Sequence, residues 1–264
     1  MRIRRLTLGD LPALLDLEDD RGWGREEHKY RLLFAVGEVY GIDDPAGGVA
    51  GSVTATRYGD RVTAISMMIV AKRHGRKGLG TALMEHALAH AGAPTVTLTA
   101  TEYGIGLYDK LGFRTVGHMT SFTGEFRGEP SRRSRAATDL DAIARLDAEV
   151  FGAPRTALIE RLPAFGALRT LDGAFGGAWP NVTSTVLGPV TAATADDATA
   201  LLDDLAASAG RPVRLDADHA RPHLFAWAQE HGLTPGHETA IMVYGDPLPG
   251  DRDRLHTPVM QALG

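Results

Sequence analysis

The chain of 264 residues contains no cysteine and no long apolar run. The lack of cysteine excludes disulfide bonds, zinc–thiolate sites and a cysteine nucleophile. No stretch approaches the ~20 apolar residues of a membrane-spanning helix. The basic N-terminus is followed by acidic residues instead of the apolar region of a secretory signal. These absences predict a cytoplasmic protein without a membrane partner.

Charge and composition exclude further classes. The net charge is −5, so there is no overall basic field of the kind that binds nucleic acid. None of the ten histidines forms a ligand-spaced helical pair with an acidic third ligand, and we therefore expect no metal site. Hydrophobic residues make up 44% and charged residues 23%, which is typical of a globular chain long enough for two modest domains.

Apolar periodicity in the first half predicts an alternation of helices and strands. Residues 62–70 are apolar on both faces and predict a central, buried strand. The other expected elements of this half are helices over 8–19, 26–35, 81–91 and 105–110, and strands over 3–6, 36–43, 48–58, 94–100 and from 113 onward.

The second half repeats this order. Residues 107–113 (LYDKLGF) have a weak echo in 227–233 (WAQEHGL), which indicates a tandem repeat of one fold. We predict a first domain over 1–125, a polar linker over 126–138, a second domain over 139–246 and a tail over 247–264. Expected elements of the second domain are helices over 139–151, 154–162, 196–209 and 222–231, and strands over 183–187, 213–215 and 238–244.

A glycine-rich basic loop follows the buried strand and precedes a helix. Its sequence runs Gly75-Arg76-Lys77-Gly78-Leu79-Gly80-Thr81, with Arg73 just before it. Glycines allow backbone N–H groups to converge, and the helix N-terminus adds partial positive charge. The segment therefore predicts a site for phosphate oxygens.

Three known kinds of phosphate-binding loop are rich in glycine and precede a helix. A Walker loop ends in Gly-Lys-Ser/Thr, and Gly80-Thr81 lacks the lysine. A dinucleotide fingerprint needs G-x-G-x-x-G after an early strand, whereas Gly78-Leu79-Gly80 is followed by Thr81-Ala82-Leu83. The third kind is a loop that holds the pyrophosphate of coenzyme A.

The loop, the strand Val96-Thr97-Leu98 and the segment 107–113 occur in the order and spacing of one known family. Together they resemble the core of the GNAT N-acetyltransferase superfamily, and the match covers about half the chain. The resemblance implies an α/β fold with a mixed, mostly antiparallel sheet flanked by helices, present here as two tandem copies. The sequence departs from the family pattern at Gly75, where relatives usually carry Gln or Arg.

By this resemblance the co-substrate is acetyl-CoA or another acyl-CoA, and the acceptor is an amine of a small molecule. Tyr108 is expected to protonate the leaving thiolate. The backbone at Ile69 and Val70 is expected to stabilise the developing oxyanion. The residues expected to bind the cofactor are Ile69, Val70, Gly75, Arg76, Lys77, Gly78, Leu79, Gly80 and Thr81.

The acceptor side is less specific in the sequence. His28, Glu26, Glu27 and Glu102 are all possible general bases, and a water chain could also serve. Side chains that could shape an acceptor pocket are Trp23, His28, Tyr40, Met68 and Glu102.

The second copy resembles the degenerate C-terminal domain of tandem acetyltransferases. Its loop at the phosphate position, residues 192–197, has no glycine and contains Asp196 and Asp197. These acids would repel a pyrophosphate. Ala228 occupies the place of the tyrosine, so we expect neither catalysis nor CoA binding in this half. Two alternatives to amine acylation remain: another acyl-CoA reaction, and a CoA-binding module without turnover.

Overall fold

Thirteen strands form one continuous sheet in the computed structural model, which describes residues 2–264. The spatial order is β1-β2-β3-β4-β5-β12-β6-β11-β10-β9-β8-β7, and β13 pairs with β10. The strands are β1 (Ile3–Arg5), β2 (Glu38–Asp43), β3 (Val49–Tyr58), β4 (Val62–Val70), β5 (Thr95–Ala100), β6 (Arg114–Gly124), β7 (Arg135–Ala136), β8 (Ala167–Leu171), β9 (Ala174–Pro180), β10 (Thr185–Thr191), β11 (Val213–Asp218), β12 (Thr234–Gly245) and β13 (Leu255–Thr257).

Nine α-helices within residues 2–264 flank this sheet. None of them is long and apolar enough to cross a bilayer. The helices are α1 (Leu11–Arg21), α2 (Glu27–Val36), α3 (Leu79–His90), α4 (Glu102–Lys110), α5 (Leu140–Phe151), α6 (Thr156–Ile159), α7 (Leu162–Phe165), α8 (Ala195–Ala207) and α9 (Pro222–Glu230).

The predicted fold class is confirmed. The sheet is mixed, and in the described chain only the β4–β5 and β10–β11 neighbours are parallel. The same sequence of elements occurs twice, which confirms two copies of one fold in tandem.

The two copies exchange their last strands. β12 of the second half lies between β5 and β6 of the first, where Ala240 pairs with Ala100 on one side and with His118 on the other. β6 in turn lies between β12 and β11 of the second half. Each half thus receives a central strand from the other, and the backbone hydrogen bonds of β5 are completed only by the second half.

The helices cover both faces of the sheet. Helices α3 and α4 pack on the face that carries Ala240 and Tyr108, and α8 and α9 continue the same face beyond β6, where Phe122 is buried. Helices α1 and α2 pack on the opposite face together with α5, α6 and α7. We call this second face the α1 face. The segment after β13 also lies on it.

The C-terminal residues are part of the core. Val259, Met260 and Leu263 are buried among α1-face residues, although this segment was expected to form a tail. Arg155 holds the end of the chain: it donates to both carboxylate oxygens of Asp147 (2.9 and 2.7 Å) and to the Gly264 carbonyl oxygen (2.7 Å). Because this ion pair is fully buried, removing one partner would leave an uncompensated charge.

Two local predictions were wrong. The single helix expected over 154–162 is instead two four-residue helices, α6 and α7. Strands β7, β8, β9 and β13 were not predicted. β9 contains Gly176 and Gly177 and few β-branched residues, so its local preference for a strand is weak. Its hydrogen bonds to β8 and β10 decide its conformation.

The predicted linker is attached to the second half. The N–H and hydroxyl of Ser134 both donate to Asp204 on α8, and Arg133 pairs with Asp196 and Asp197 at the start of the same helix. The domain limits themselves stay a prediction.

Strand exchange predicts that the first half is not an independent folding unit. A protein of residues 1–125 lacks β12, so β5 and β6 would each have an unpaired edge and should aggregate or stay unfolded. Residues 1–128 and 129–264 expressed together should reassemble. Size-exclusion chromatography with circular dichroism measures the state of the 1–125 protein and the reassembly of the two coexpressed pieces. A monomeric 1–125 protein with a cooperative thermal transition would contradict this account.

Candidate functional site

A cleft opens between β4 and β5. The two strands pair only through residues 62–64 and 95–97, and beyond that they diverge. Within the diverging part Met67 has a φ of 47°, and the register between β3 and β4 shifts at Ser52/Thr54. A bulge of this kind bends a strand away from its neighbour, which leaves the edges of β4 and β5 free to bind a ligand.

Backbone alternation orients one amide of β4 into the cleft. The Ala71 N–H donates to the Ala50 carbonyl oxygen on β3 (2.9 Å). Along an antiparallel pair successive amides point to opposite sides, so the Ile69 amide faces β3 and the Val70 amide faces the cleft. Of the two backbone positions expected to bind an oxyanion, Val70 therefore has the suitable direction.

Helix α3 begins at the mouth of this cleft with an uncapped N-terminus. Gly78 precedes the helix with a φ of 79°, a conformation that L side chains rarely adopt, and no side chain caps the first turn. Arg76 and Lys77 are exposed and make no ion pair within residues 2–264. Free helix amides beside two cations form a site suited to a pyrophosphate.

Arg73, just before the loop, pairs with an acidic side chain. Its guanidinium donates to Asp44 Oδ2 (2.9 and 2.6 Å), and His74 Nε2 lies 2.5 Å from the same oxygen. The Ala46 N–H, His74 and Arg73 together lower the pKa of Asp44 to about 2. Arg73 thus fixes the base of the loop, and Arg76 and Lys77 are left to meet phosphate.

Tyr108 lies in the core between α4 and the sheet. Burial raises its pKa to about 12, so the phenol stays protonated near neutral pH. Its ring packs 5.9 Å from that of Phe113, and its hydroxyl has no hydrogen-bond partner in the described chain. Gly104 makes room for the ring, since a Cβ there would come within 2.7 Å of Tyr108 Cε2. The hydroxyl is therefore a free donor.

The five predicted acceptor residues are not brought together. His28 stacks on Phe165 at 4.1 Å and bonds to its carbonyl oxygen, which is a packing role. Tyr40 lies on the α3 face against His86 and donates to Glu38. Met68 borders Gly80 of the phosphate loop. Trp23 and Glu102 are exposed.

Glu18 is a candidate that sequence reasoning missed. It is fully buried on the α1 face, Oε2 accepts the Glu26 N–H (2.8 Å), and Oε1 has no partner. Burial raises its pKa to about 7 despite nearby Lys29. The signal was present in the sequence, because Glu18 continues the apolar spacing of Leu11, Leu14 and Leu15 along α1.

The second half completes this region. Asn181 Nδ2 donates to Glu26 Oε1 (2.9 Å), which ties the turn after β9 to the start of α2. Asp216 on β11 accepts from Ser121 on β6 (2.6 Å) and from Arg214. Polar side chains from both copies therefore lie on the α1 face.

The equivalent cleft of the second half is filled. β10 and β11 pair only through 185–187 and 213–215 and then diverge like β4 and β5. β13 occupies the gap: it pairs with β10 at Val190 and Thr191, and His256 Nε2 bonds to the Ala192 carbonyl oxygen (3.2 Å). A pantetheine arm would have to displace this strand.

The start of α8 also differs from that of α3. Thr194 caps the helix by accepting the Asp197 N–H (3.1 Å), and Asp196 and Asp197 lie in the first turn. Ala228, at the position that corresponds to Tyr108, is buried. The capped and acidic terminus offers nothing to a phosphate. In the described part of the chain no three His, Asp or Glu side chains are arranged to hold a metal ion.

Comparison with known proteins agrees with the repeat. Residues 35–115 and 143–257 each match a family model described as an acetyltransferase (GNAT) domain. The uncharacterized N-acetyltransferase YitH of Bacillus subtilis (strain 168) is 27% identical over 267 residues, which span 96% of this chain and 94% of that protein.

Solved structures share the whole fold. A crystal structure from Pyrococcus horikoshii matches with a TM-score of 0.83 and 17% identity, over 100% of this chain and 95% of that one. A tandem GNAT protein from the clavulanic acid biosynthesis pathway matches with a TM-score of 0.64 and 12% identity, over 93% and 99%. At these identities the likeness concerns the fold alone.

The raised pKa of Glu18 predicts a pH-dependent stability. The folded state holds this proton more tightly than the unfolded state, so stability is lost as pH rises from about 4.5 to about 7. Glu18→Gln stays neutral and keeps an acceptor oxygen. It should match the wild type at pH 4 and exceed it by up to about 3 kcal/mol at pH 8. Urea unfolding measures the free energy of unfolding, and the exposed Glu85→Gln serves as control. If the difference in stability between Glu18→Gln and the wild type is the same at both pH values, the assignment is refuted.

Proposed function

Because the chain belongs to the GNAT N-acetyltransferase superfamily, as a tandem protein with two GNAT domains, we propose that its first half transfers an acetyl group from acetyl-CoA to a primary amine of a small molecule. The observation that carries the proposal is the combination of the open β4/β5 cleft with the uncapped start of α3 at its mouth. The second cleft, filled by β13, takes no part.

Binding uses the residues around the loop. The α3 amides after Gly78, with Arg76 and Lys77, receive the pyrophosphate, and the free edges of β4 and β5 receive the pantetheine arm. Gly80 lies close to Leu107 and Met68, so the first turn of α3 sits directly against the cleft. The acyl group is then held beside the Val70 amide.

The amine attacks the thioester carbonyl from the α1 face. Negative charge develops on the carbonyl oxygen, and the Val70 N–H stabilises it. The C–S bond breaks and the sulfur leaves as thiolate, to which the Tyr108 hydroxyl donates a proton. The proton that the nitrogen loses as it becomes an amide returns to Tyr108 through solvent, so the step balances. A phenol with a pKa of about 12 stays protonated until that moment.

An ammonium substrate must lose a proton before it attacks. Glu18, with a pKa of about 7, suits this task better than Glu26, whose pKa is lowered by Lys29 against the effect of burial. We assign Glu18 as the proton acceptor, acting directly or through water. In the wild type kcat/KM should rise with pH through about 7 as Glu18 loses its proton. Glu18→Gln should lack this rise.

The test of the function is thiol release from acetyl-CoA with a panel of primary amines. Acetylated product detected by mass spectrometry supports the proposal. Turnover with other acyl-CoA thioesters only, or CoA binding without any turnover, would favour the two alternatives that the sequence leaves open.

Calorimetric titration with CoA should give one site per chain. Gly78→Glu should abolish that binding, because it places a side chain and a negative charge at the phosphate site. Gly173→Glu is a matched control: its φ is 75° and no atom lies within 4 Å of a Cβ there, as at Gly78, but it lies in the β8–β9 turn. Two sites per chain, or unchanged affinity in Gly78→Glu, would disprove the binding assignment.

Tyr108→Phe should lower kcat by about a hundredfold with little change in CoA affinity, since the donated proton matters in the transition state. Stability should change by less than about 1 kcal/mol because the hydroxyl makes no hydrogen bond in the described chain. Tyr103→Phe, on the same helix but 85% exposed, should be silent. Full kcat in Tyr108→Phe at every pH would make Tyr108 a packing residue.

A further inference from the structure

A cavity of about 400 Å³ lies between the α1 face of the central strands and the C-terminal segment. Its floor consists of residues from three strands that lie side by side, β5, β12 and β6. Its roof is the chain from Leu248 to Gly264, and one wall is the turn after β11. Both halves of the molecule therefore build this cavity. Its floor residues are Thr97, Thr99, Ile241, Gly117 and Met119.

The cavity adjoins the open cleft. Thr97 is the last β5 residue that pairs with β4, opposite Ala64, and Thr99 belongs to the part of β5 that has separated from β4. The side chains of Thr97 and Thr99 lie on the α1 face, opposite Val96 and Leu98, which pack under α3. A molecule in the cavity would thus reach the strand that flanks the acyl group.

One wall carries a guanidinium without a partner. Arg252 is partly buried, and its side chain makes no hydrogen bond or ion pair within residues 2–264; its contact is the Phe151 ring, 5.6 Å away. Burial and the nearby Arg155 and Arg221 lower its pKa to about 10. An unpaired buried cation is unfavourable unless an anion completes it.

The neighbouring charges do not satisfy Arg252. Asp253 is 95% exposed and pairs with Arg221 (3.3 Å). Asp218 accepts the Ala220 N–H (2.8 Å) and lies beyond ion-pair distance of Arg252. Arg221 donates through its terminal nitrogens to the carbonyl oxygens of Ala220 and Arg252, and only its buried Nε has no partner. The wall therefore has unused donors and too few acceptors for them.

We infer that the cavity receives the acceptor and that the acceptor is an amine that also carries an anionic group, a carboxylate or a phosphate, bound by Arg252 and Arg221. This inference rests on the proposed function. The planar guanidinium suits both oxyanions, which it can bind through two parallel hydrogen bonds. The volume admits a small metabolite but not a folded protein segment.

Matched pairs of amines test the inference. Thiol release is measured for β-alanine against propylamine and for O-phosphoethanolamine against ethanolamine, so that each pair differs by the anionic group. The anionic member should have the higher kcat/KM, by about tenfold or more. The ratio of kcat/KM between the anionic and the neutral amine, compared between the two pairs, shows whether a carboxylate or a phosphate is preferred.

Arg252→Gln should remove this preference by raising KM for the anionic amine about tenfold, with KM for its neutral partner unchanged. Arg252→Lys should restore part of it. Arg145→Gln, an exposed arginine on α5 without an ion pair in the described chain, should behave as the wild type. Thermal unfolding checks that the variants fold.

Failure of this inference differs from failure of the function. If amines are acetylated but the anionic members have no advantage, or if Arg252→Gln keeps it, the inference is overturned and acetyl transfer stands. If CoA binds and no amine of either kind releases thiol, the amine acylation itself is overturned, and the assigned acceptor class with it.

Discussion

The exchange of β12 and β6 is the constraint on which the rest of the structure depends. β5 has β4 as its neighbour on one side for three residues only, and along its other edge it is held entirely by β12 of the second half. A strand that separates from its neighbour loses hydrogen bonds and needs a firm partner on its far edge. The second copy supplies that partner, so an open cleft in the first half requires the degenerate half to be present and folded.

The two copies show how one geometry can have opposite uses. Both contain a parallel strand pair that separates after three residues. In the second copy β13 pairs with the free edge of β10, and Thr194 caps the helix that follows. In the first copy both the strand edge and the start of α3 keep their donors free. Backbone groups that are satisfied internally are unavailable to a ligand, and this difference is the reason for proposing the first cleft as the binding site.

Burial shifts the pKa values of three side chains that lie on different sides of the sheet. It raises the pKa of Glu18 to about 7 and that of Tyr108 to about 12, and it lowers that of Arg252 to about 10. In each case the low polarity of the surroundings disfavours the charged form. The consequences differ: a carboxyl group that can take up a proton, a phenol that retains one, and a guanidinium for which an anion would be a favourable partner.

The sequence by itself predicted the alternation of helices and strands, the repeat and the glycine loop, because local spacing and turn chemistry specify these features. The fold class and the role expected of Tyr108 came from the resemblance to a known family. Strands β8, β9 and β13 depended on tertiary structure, since sequences such as that around Gly176 and Gly177 have little local preference and take their conformation from neighbouring strands. The strand exchange, the filled second cleft and the pairing of Arg73 with Asp44 join residues far apart in the chain. The spacing of Glu18 along α1 indicated its burial, whereas its raised pKa and its hydrogen bond to the start of α2 came only from the tertiary structure.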